Sequence, residues 1–175
     1  DPGPRVAVVG AGGIGFDVAE YLTQSGPSAT VTPERFYEEW GIDASYEERG
    51  GLMHVQLERP AREVTLLQRK HSKVGGGLGK TTGWIHRTEL KKRNVRMVPG
   101  VNYEHIDDSG LHMTIDDQPV VLDVETIVVC TGQEPQRELL GDLDAAGVSV
   151  SIIGGADVAA ELDAKRAIKQ GTEVA

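Results

Sequence analysis

The chain has 175 residues, 18 of them basic and 27 acidic, which gives a formal net charge of −9 and an isoelectric point of about 5.0. That charge repels nucleic acid and anionic membranes, so an anionic ligand has to be held by a local basic patch. A single cysteine, Cys130, excludes an internal disulfide and cannot by itself hold a multi-cysteine metal or iron–sulfur site.

No apolar run approaches the roughly 18 residues of a membrane helix, and the N-terminus lacks the basic and apolar regions of a signal peptide. We therefore expect a protein of the reducing cytoplasm, with neither nucleic acid nor membrane as a partner. The chain begins at Asp1 without Met and reaches an apolar run at once. This beginning is typical of a segment cut from a longer protein at an interdomain linker.

The first predicted strand, residues 5–9, is short, apolar and β-branched, as in a parallel sheet buried on both faces. A glycine turn of sequence Gly-Ala-Gly-Gly-Ile-Gly, residues 10–15, follows directly. Beyond it Val18 and Leu22 continue an apolar period of four from Ile14, and the pair at 26–27, Gly-Pro, is predicted to end this helix.

This G-x-G-x-x-G pattern lies between a strand and a helix, which is the context of a dinucleotide site. In that interpretation Gly10 permits the turn, Gly12 allows close approach of a pyrophosphate, and Gly15 allows helix–strand packing. Gly13 and Ile14 open the helix, whose N-terminal N–H groups attract phosphate. The alternatives are a purely structural turn or another nucleotide-like ligand such as S-adenosylmethionine.

Residues 28–60 interrupt the α/β rhythm with a polar excursion. It contains one helix signal, Thr32 as N-cap and Pro33 at the first helical position, with Phe36 and Trp40 on one face. The composition of this excursion does not indicate a function.

The second predicted strand ends at Gln68, where an NAD site places a carboxylate on the ribose. Arg69 can instead form a charge-assisted fork to a 2′-phosphate, with Lys70 and Lys73 adding positive charge. The sequence therefore favours NADP over NAD, and the alternative is a solvated basic strand end. The separation in sequence between Gly10 and Gln68 is longer than the usual spacing of about 20 residues, and the inserted excursion of residues 28–60 accounts for the extra length.

Residues 79–81, Gly-Lys-Thr, invite a phosphate-loop interpretation, but Val74 stands where that motif needs its first glycine. The glycines of residues 75–79 instead predict a backbone that passes close to another group. A helix is predicted from Thr82 to Arg93, followed by a strand over residues 95–98.

Three short segments with alternating apolar residues, at 101–105, 111–115 and 120–124, predict an antiparallel meander. A buried strand at 126–130 follows it. Further strand character is predicted at 148–153. A last helix is then predicted, with Asp157 as its N-cap, Val158, Leu162 and Ile168 as apolar residues, and Gly171 at its end.

No acid–base, nucleophilic or metal-binding constellation is evident in the sequence. The five histidines, at positions 54, 71, 86, 105 and 112, show no metal-ligand spacing, so no metal is predicted. Cys130 ends an apolar strand, where a buried inert thiol is expected more than a nucleophile. With no catalytic residue predicted, hydride transfer between two cofactors fits best, because it depends on positioning rather than on side-chain acids.

Five segments, over nearly the whole chain, resemble the C-terminal NADPH-binding part of bacterial 2,4-dienoyl-CoA reductase and its Old Yellow Enzyme-type relatives. The segments are residues 8–17, 67–70, 77–87, 130–135 and 153–157. The third, which contains Lys-Thr-Thr-Gly-Trp-Ile-His-Arg, is distinctive, whereas glycine fingerprints are shared by many flavoproteins.

The resemblance implies a parent protein with a barrel that carries FMN, an iron–sulfur cluster and an FAD domain. NADPH would reduce FAD there, and the electrons would pass on to a dienoyl-CoA. The FMN and the cluster would belong to parts outside this chain, and the rest of the parent polypeptide would be its partner. The isolated chain is therefore not expected to turn over.

The resemblance also implies roles for individual residues. Asp17 would approach the nicotinamide carboxamide, the alternative being a carboxylate on the helix surface. Thr131 and Gly132 would shape the pyrophosphate and nicotinamide side. Gly155 and Asp157, in a Gly-Gly-x-Asp segment, would contact FAD in the parent.

We therefore predict a Rossmann-like FAD/NAD(P)-binding α/β domain of the glutathione-reductase type. Its parallel sheet would carry helices on one face and the meander on the other. Residues 1–147 would form the NADPH-binding domain, and residues 148–175 would be a returning segment of the FAD domain. Two alternatives remain open: a non-catalytic nucleotide-sensing or assembly module, and a relative acting on another enone or an amine.

Overall fold

The structure, a computed structural model, describes residues 1–160 and 163–175, so that the predicted apolar position Leu162 lies outside the described residues. The chain divides into two compact units, Asp1–Cys130 and Thr131–Ala175. The boundary predicted after residue 147 refers to the domains of a parent protein and stays a prediction. Among the described residues, no helix is both long and apolar enough to cross a membrane.

In the first unit strands alternate with helices as far as β3, and four further strands then follow one another. The strands are β1 (Arg5–Val9), β2 (Glu63–Leu67), β3 (Arg96–Val98), β4 (Val101–Asp107), β5 (Gly110–Ile115), β6 (Gln118–Leu122) and β7 (Thr126–Val129). The helices are α1 (Gly13–Thr23), α2 (Pro33–Trp40), α3 (Gly83–Lys92), α4 (Leu140–Ala145) and α5 (Ala164–Val174).

Four strands form a parallel sheet in the order β3-β2-β1-β7. In its centre Val8 pairs with Leu66 on one side and with Val128 on the other. Because all four strands are parallel, their carboxyl ends lie at one edge of the sheet. The loops after β1 and β2 therefore share an edge, which is where open α/β sheets bind ligands.

Helices cover one face of this sheet, and the meander covers the other. On the helical face Phe16 of α1 and Leu90 of α3 are buried with Val8 and Leu66. The opposite face buries the β4–β6 sheet, whose strand order is β4-β5-β6, and Met113 at its centre is 1% exposed. The predicted fold class, a Rossmann-like sheet with helices and an antiparallel three-stranded meander, is confirmed.

The excursion packs against α3 through its helix α2. Arg93, just past the end of α3, lies 3.3 Å from Glu39, and both side chains are at least 85% buried. The Lys92 ammonium is 3.5 Å from the centroid of the Trp40 ring and donates a hydrogen bond of 2.9 Å to the Glu39 carbonyl. Thr32 precedes α2 as predicted, although its side chain makes no capping hydrogen bond.

The second unit differs from the prediction at two points. Residues 148–153 form no strand, because none of the described segments pairs with them and an unpaired run cannot satisfy its amides as a sheet does. The last helix begins after Asp163, not after Asp157, and continues past Gly171. The Asp163 side chain accepts a hydrogen bond of 2.7 Å from the amide of Arg166, which is the capping bond that the prediction assigned to the wrong aspartate.

Candidate functional site

The glycine turn lies at the carboxyl edge of the parallel sheet. Gly10 has a φ of 111°, a left-handed conformation that favours glycine, and its amide donates a hydrogen bond of 3.0 Å to the Leu67 carbonyl of β2. Helix α1 starts within the turn, where the Phe16 amide donates to the Gly12 carbonyl at 3.1 Å. The turn is thus tied to both neighbouring elements.

The glycines of this turn have different surroundings. A Cβ on Gly15 would overlap the Gly10 carbonyl and would lie 3.5 Å from Leu66, whereas a Cβ on Gly12 or Gly13 would meet nothing within 4 Å. Gly15 therefore serves packing, while Gly12 and Gly13 leave open space before the helix. Gly12 provides no side-chain cap, so no capping side chain occupies the first amides of α1.

Two further predicted site residues lie on the exposed surface at the beginning of α1. Ile14 is 57% exposed, and Asp17 is exposed one turn later. The Asp17 side chain makes no hydrogen bond or ion pair with any described residue, so the structure leaves its predicted role open.

Gln68 braces the loop that follows β2. Its amide donates a hydrogen bond of 2.9 Å to Val98 of β3, and its side-chain nitrogen donates to the carbonyls of Lys70 and Ser72, both at 2.8 Å. Its side-chain amide therefore holds the loop together, a structural role that the sequence did not reveal.

Arg69, Lys70 and Lys73 are exposed on this loop, and none forms an ion pair with any residue in the described part of the chain. Three uncompensated cations thus follow β2 at the same edge as the glycine turn. Together with the positive end of α1, they make this edge attractive to a ligand with several anionic groups.

The glycine-rich loop of residues 75–79 packs against the protein itself. Gly75 has a φ of 69°, and a Cβ there would lie 2.5 Å from the Phe16 ring. The Arg87 guanidinium donates a hydrogen bond of 2.9 Å to the Gly75 carbonyl. Close approach to α1 therefore accounts for Gly75. The distinctive segment of residues 77–87 ends in the first turns of α3.

The remaining predicted cofactor residues belong to the second unit. Thr131 and Gly132 are exposed and follow Cys130, the residue after β7, with a φ of 133° at Gly132. Gly155 and Asp157 are half-buried in and beside a single 3₁₀ turn, where the Asp157 carboxylate accepts a hydrogen bond of 2.8 Å from Gln170.

A second constellation lies on the β4–β5 hairpin and was not evident from sequence spacing. One ligand atom from each of His105, Asp107 and His112 lies within 4.8 Å of the others, and we call this group the His–Asp–His cluster. Hydrogen bonds from Ser109 and His112 hold the pKa of the Asp107 carboxyl well below its usual range. The signal in the sequence was the His-x-Asp pair of His105 and Asp107, which is followed by a two-residue turn and then by His112.

Cys130 lies at the same edge as the glycine turn. Its amide donates a hydrogen bond of 2.7 Å to Val9, and burial raises the pKa of its thiol. A raised pKa disfavours the thiolate, which is the nucleophilic form.

Comparison with known proteins relates this geometry to a family. The family described as pyridine nucleotide-disulphide oxidoreductase matches residues 1–167. A metal reductase from Desulforamulus reducens is 24% identical over 154 residues, which are 88% of this chain and 22% of that protein.

Solved structures show the same fold. A 2-naphthoyl-CoA reductase in complex with 2-naphthoyl-CoA superimposes with a TM-score of 0.67 and 18% identity, over 98% of this chain and 20% of the other. Histamine dehydrogenase from Rhizobium sp. 4-9 gives a TM-score of 0.65 and 14% identity, over 99% and 23%. The chain thus spans about a fifth of the length of these proteins.

Proposed function

Because the chain belongs to the pyridine nucleotide-disulphide oxidoreductase family, we propose that its first unit binds NADPH in a longer flavin-dependent reductase. One observation carries this proposal. An open glycine turn at the start of α1 lies at the same sheet edge as three exposed cations after β2, where no carboxylate follows the strand.

The glycine turn suits the pyrophosphate. The open space over Gly12 and Gly13 admits phosphate oxygens to the first amides of α1, and the positive end of the helix favours their charge. Gly15 keeps α1 close to β1, which fixes where those amides point. Ile14 would cover the ligand from the exposed side.

The loop after β2 suits a 2′-phosphate on the adenosine ribose. Arg69 would form the charge-assisted fork, and Lys70 and Lys73 would add point charges. Gln68 supports this loop by its two bonds to backbone carbonyls, so its part is to position the cations. A carboxylate at that position would repel a 2′-phosphate.

The nicotinamide would supply a hydride from C4 to an FAD. We assign Asp17 to the carboxamide of the nicotinamide, and Thr131 and Gly132 to the pyrophosphate and nicotinamide side. Gly155 and Asp157 would contact the FAD. These residues bind and orient, and none of them has to exchange a proton with the reacting atoms.

For the longer protein we propose reduction of a dienoyl-CoA, with FMN and an iron–sulfur cluster held outside this chain. The support is the resemblance of residues 77–87 to the 2,4-dienoyl-CoA reductases. Steady-state assays of the full-length protein with NADPH and a 2,4-dienoyl-CoA should show turnover. Activity confined to another enone or to an amine would overturn this substrate while leaving the NADPH site intact.

The NADPH site itself is tested by titrating the chain with NADPH and with NADH. We expect NADPH to bind at least about tenfold more tightly, because one hydrogen bond to a charged group contributes roughly 1.5–3 kcal/mol. Arg69→Ala should erase this preference by weakening NADPH alone. Arg59→Ala removes the same charge from an exposed position before β2, far from its carboxyl end, and should leave both affinities unchanged. Equal affinities in the unmodified chain would overturn the NADP assignment.

A further inference from the structure

The β4–β5 hairpin carries a bulge that turns His105 away from the core. The register shifts between Tyr103 and His105, so that Tyr103 pairs with Met113 and His105 pairs with His112. Met113 is buried, whereas the side chain of His105 is 58% exposed and that of His112 is 22% exposed. The two imidazole rings stack with their centroids 4.0 Å apart and their planes at 13°.

Asp107 completes this outward face. Its Oδ1 lies 3.0 Å from the His112 Nε2, and its Oδ2 lies 3.8 Å from the His105 Nε2. Ser109 holds the carboxylate in place, since its amide and its hydroxyl donate to Oδ1 at 2.8 and 2.6 Å. Because both hydrogen bonds from Ser109 go to Oδ1, the other carboxylate oxygen, Oδ2, is the one that lies toward His105.

These separations suit a transition ion. Zinc bonds of about 2.0–2.2 Å to nitrogen and oxygen in a tetrahedral site place ligand atoms about 3.4 Å apart. The cluster atoms all lie within 4.8 Å of one another. The imidazole side chains are 58% and 22% exposed, so the two rings have room to turn out of their stack, which they must do for both Nε2 lone pairs to point at one ion.

We propose that the His–Asp–His cluster is a binding site for a divalent transition ion of the zinc type. Two imidazoles and one carboxylate favour zinc and its neighbours over magnesium or calcium, which prefer oxygen ligands. Three protein ligands leave a fourth position for water. Ser109 then serves as the outer partner that orients the ligating carboxylate.

The site is separate from the nucleotide edge. Strand β4 starts beside the end of β2, where the Val101 amide donates to the Gln68 carbonyl at 3.0 Å. It then runs for seven residues to Asp107, a distance of about 20 Å at 3.3 Å per residue. An ion on the hairpin therefore bridges β4 and β5 without reaching the glycine turn.

Calorimetric titration of the whole chain with ZnCl₂ and with MgCl₂ tests this proposal. We expect one zinc per chain, no binding of magnesium at the same concentrations, and a melting temperature that rises with zinc. His105→Ala and His112→Ala should each weaken zinc at least tenfold and remove the thermal shift. His54→Ala, an exposed histidine of the excursion, should change neither measurement.

A conservative variant and a double variant test the same site further. Asp107→Asn keeps the size of the side chain and should also weaken zinc at least tenfold, while NADPH affinity stays the same with and without zinc. Undiminished zinc affinity in the His105→Ala, His112→Ala double variant would overturn the site, as would absence of zinc binding by the unmodified chain. Comparable binding of magnesium would overturn the assignment to a transition ion.

Discussion

The carbonyl oxygen of Gly10 lies so close to the α-carbon of Gly15 that a Cβ at position 15 would overlap it. The backbone just after β1 is thus in close contact with the backbone of the first turn of α1. Gly12 and Gly13, between them, have empty space where their side chains would be. The glycine turn therefore contains one position that serves packing, Gly15, and two that leave open space, Gly12 and Gly13. Substitutions at these positions should have different effects on stability and on ligand binding.

Gly15→Ala should destabilise the first unit, because either the turn or α1 must move to accommodate the methyl group. The expected cost is about 1–3 kcal/mol of unfolding free energy, in the range of overpacked cores. Chemical denaturation followed by circular dichroism measures it. An unchanged denaturation midpoint would show that the helix and the strand are not in fixed contact.

Gly12→Ala should instead weaken NADPH binding and leave the stability of the protein nearly unchanged. The φ of −81° at this position suits alanine, and the added methyl group meets no protein atom, so stability should stay within about 0.5 kcal/mol. NADPH affinity should fall at least tenfold, since the methyl group occupies the space assigned to the pyrophosphate. Unchanged NADPH affinity in this variant would contradict the proposed position of the phosphates.

Local patterns predicted most of the first unit. The run of residues 5–9, the glycine turn and the helix from Gly83 were evident because strand, turn and helix signals lie in consecutive residues. The meander was evident for the same reason. What the sequence could not show was the bulge after Tyr103, which places His105 beside His112, because a register shift depends on pairing between strands.

The failures in the second unit have a related cause. The apolar run of residues 148–153 has strand composition, but a strand exists only when a neighbour pairs with it. Asp157 and Asp163 both precede apolar positions, and only tertiary contacts decide between them. Asp157 is engaged by Gln170 from within α5, which leaves Asp163 to cap that helix.

The ion pair between Glu39 and Arg93 is expected to hold the excursion on α3. Both side chains are largely buried, and Arg93 also pairs with Glu89 at 2.8 Å, so Glu39→Ala removes one of its two carboxylate partners. Glu39→Ala should therefore lower the unfolding free energy by about 1.5–3 kcal/mol, the cost of losing a hydrogen bond to a charged group, as measured by urea denaturation. Glu38→Ala removes the same charge from an exposed neighbour and should cost less than about 0.5 kcal/mol. Equal effects of the two variants would refute this role.

The Cys130 thiol should react slowly. Burial raises its pKa, so that a smaller fraction is thiolate at a given pH than in an unfolded chain. Reaction with a disulfide reagent at pH 8 should be at least about tenfold slower in the native protein than in urea, since access is restricted as well. A native rate equal to the unfolded rate would indicate an exposed, reactive thiol.

The Tyr103 hydroxyl is buried and has no hydrogen-bond partner among the described residues, and burial raises the pKa of its phenol. Removing an unpartnered hydroxyl relieves a desolvation cost, so Tyr103→Phe should leave stability unchanged or raise it by up to about 1 kcal/mol near neutral pH.

Because the folded-state pKa of the Tyr103 phenol is raised, the unfolded chain loses this proton first as the pH rises. The native protein should therefore lose stability above about pH 10, and Tyr103→Phe should lose less. Thermal melts of both proteins from pH 8 to 11 measure the difference, and parallel curves would mean that the Tyr103 hydroxyl is solvated in solution.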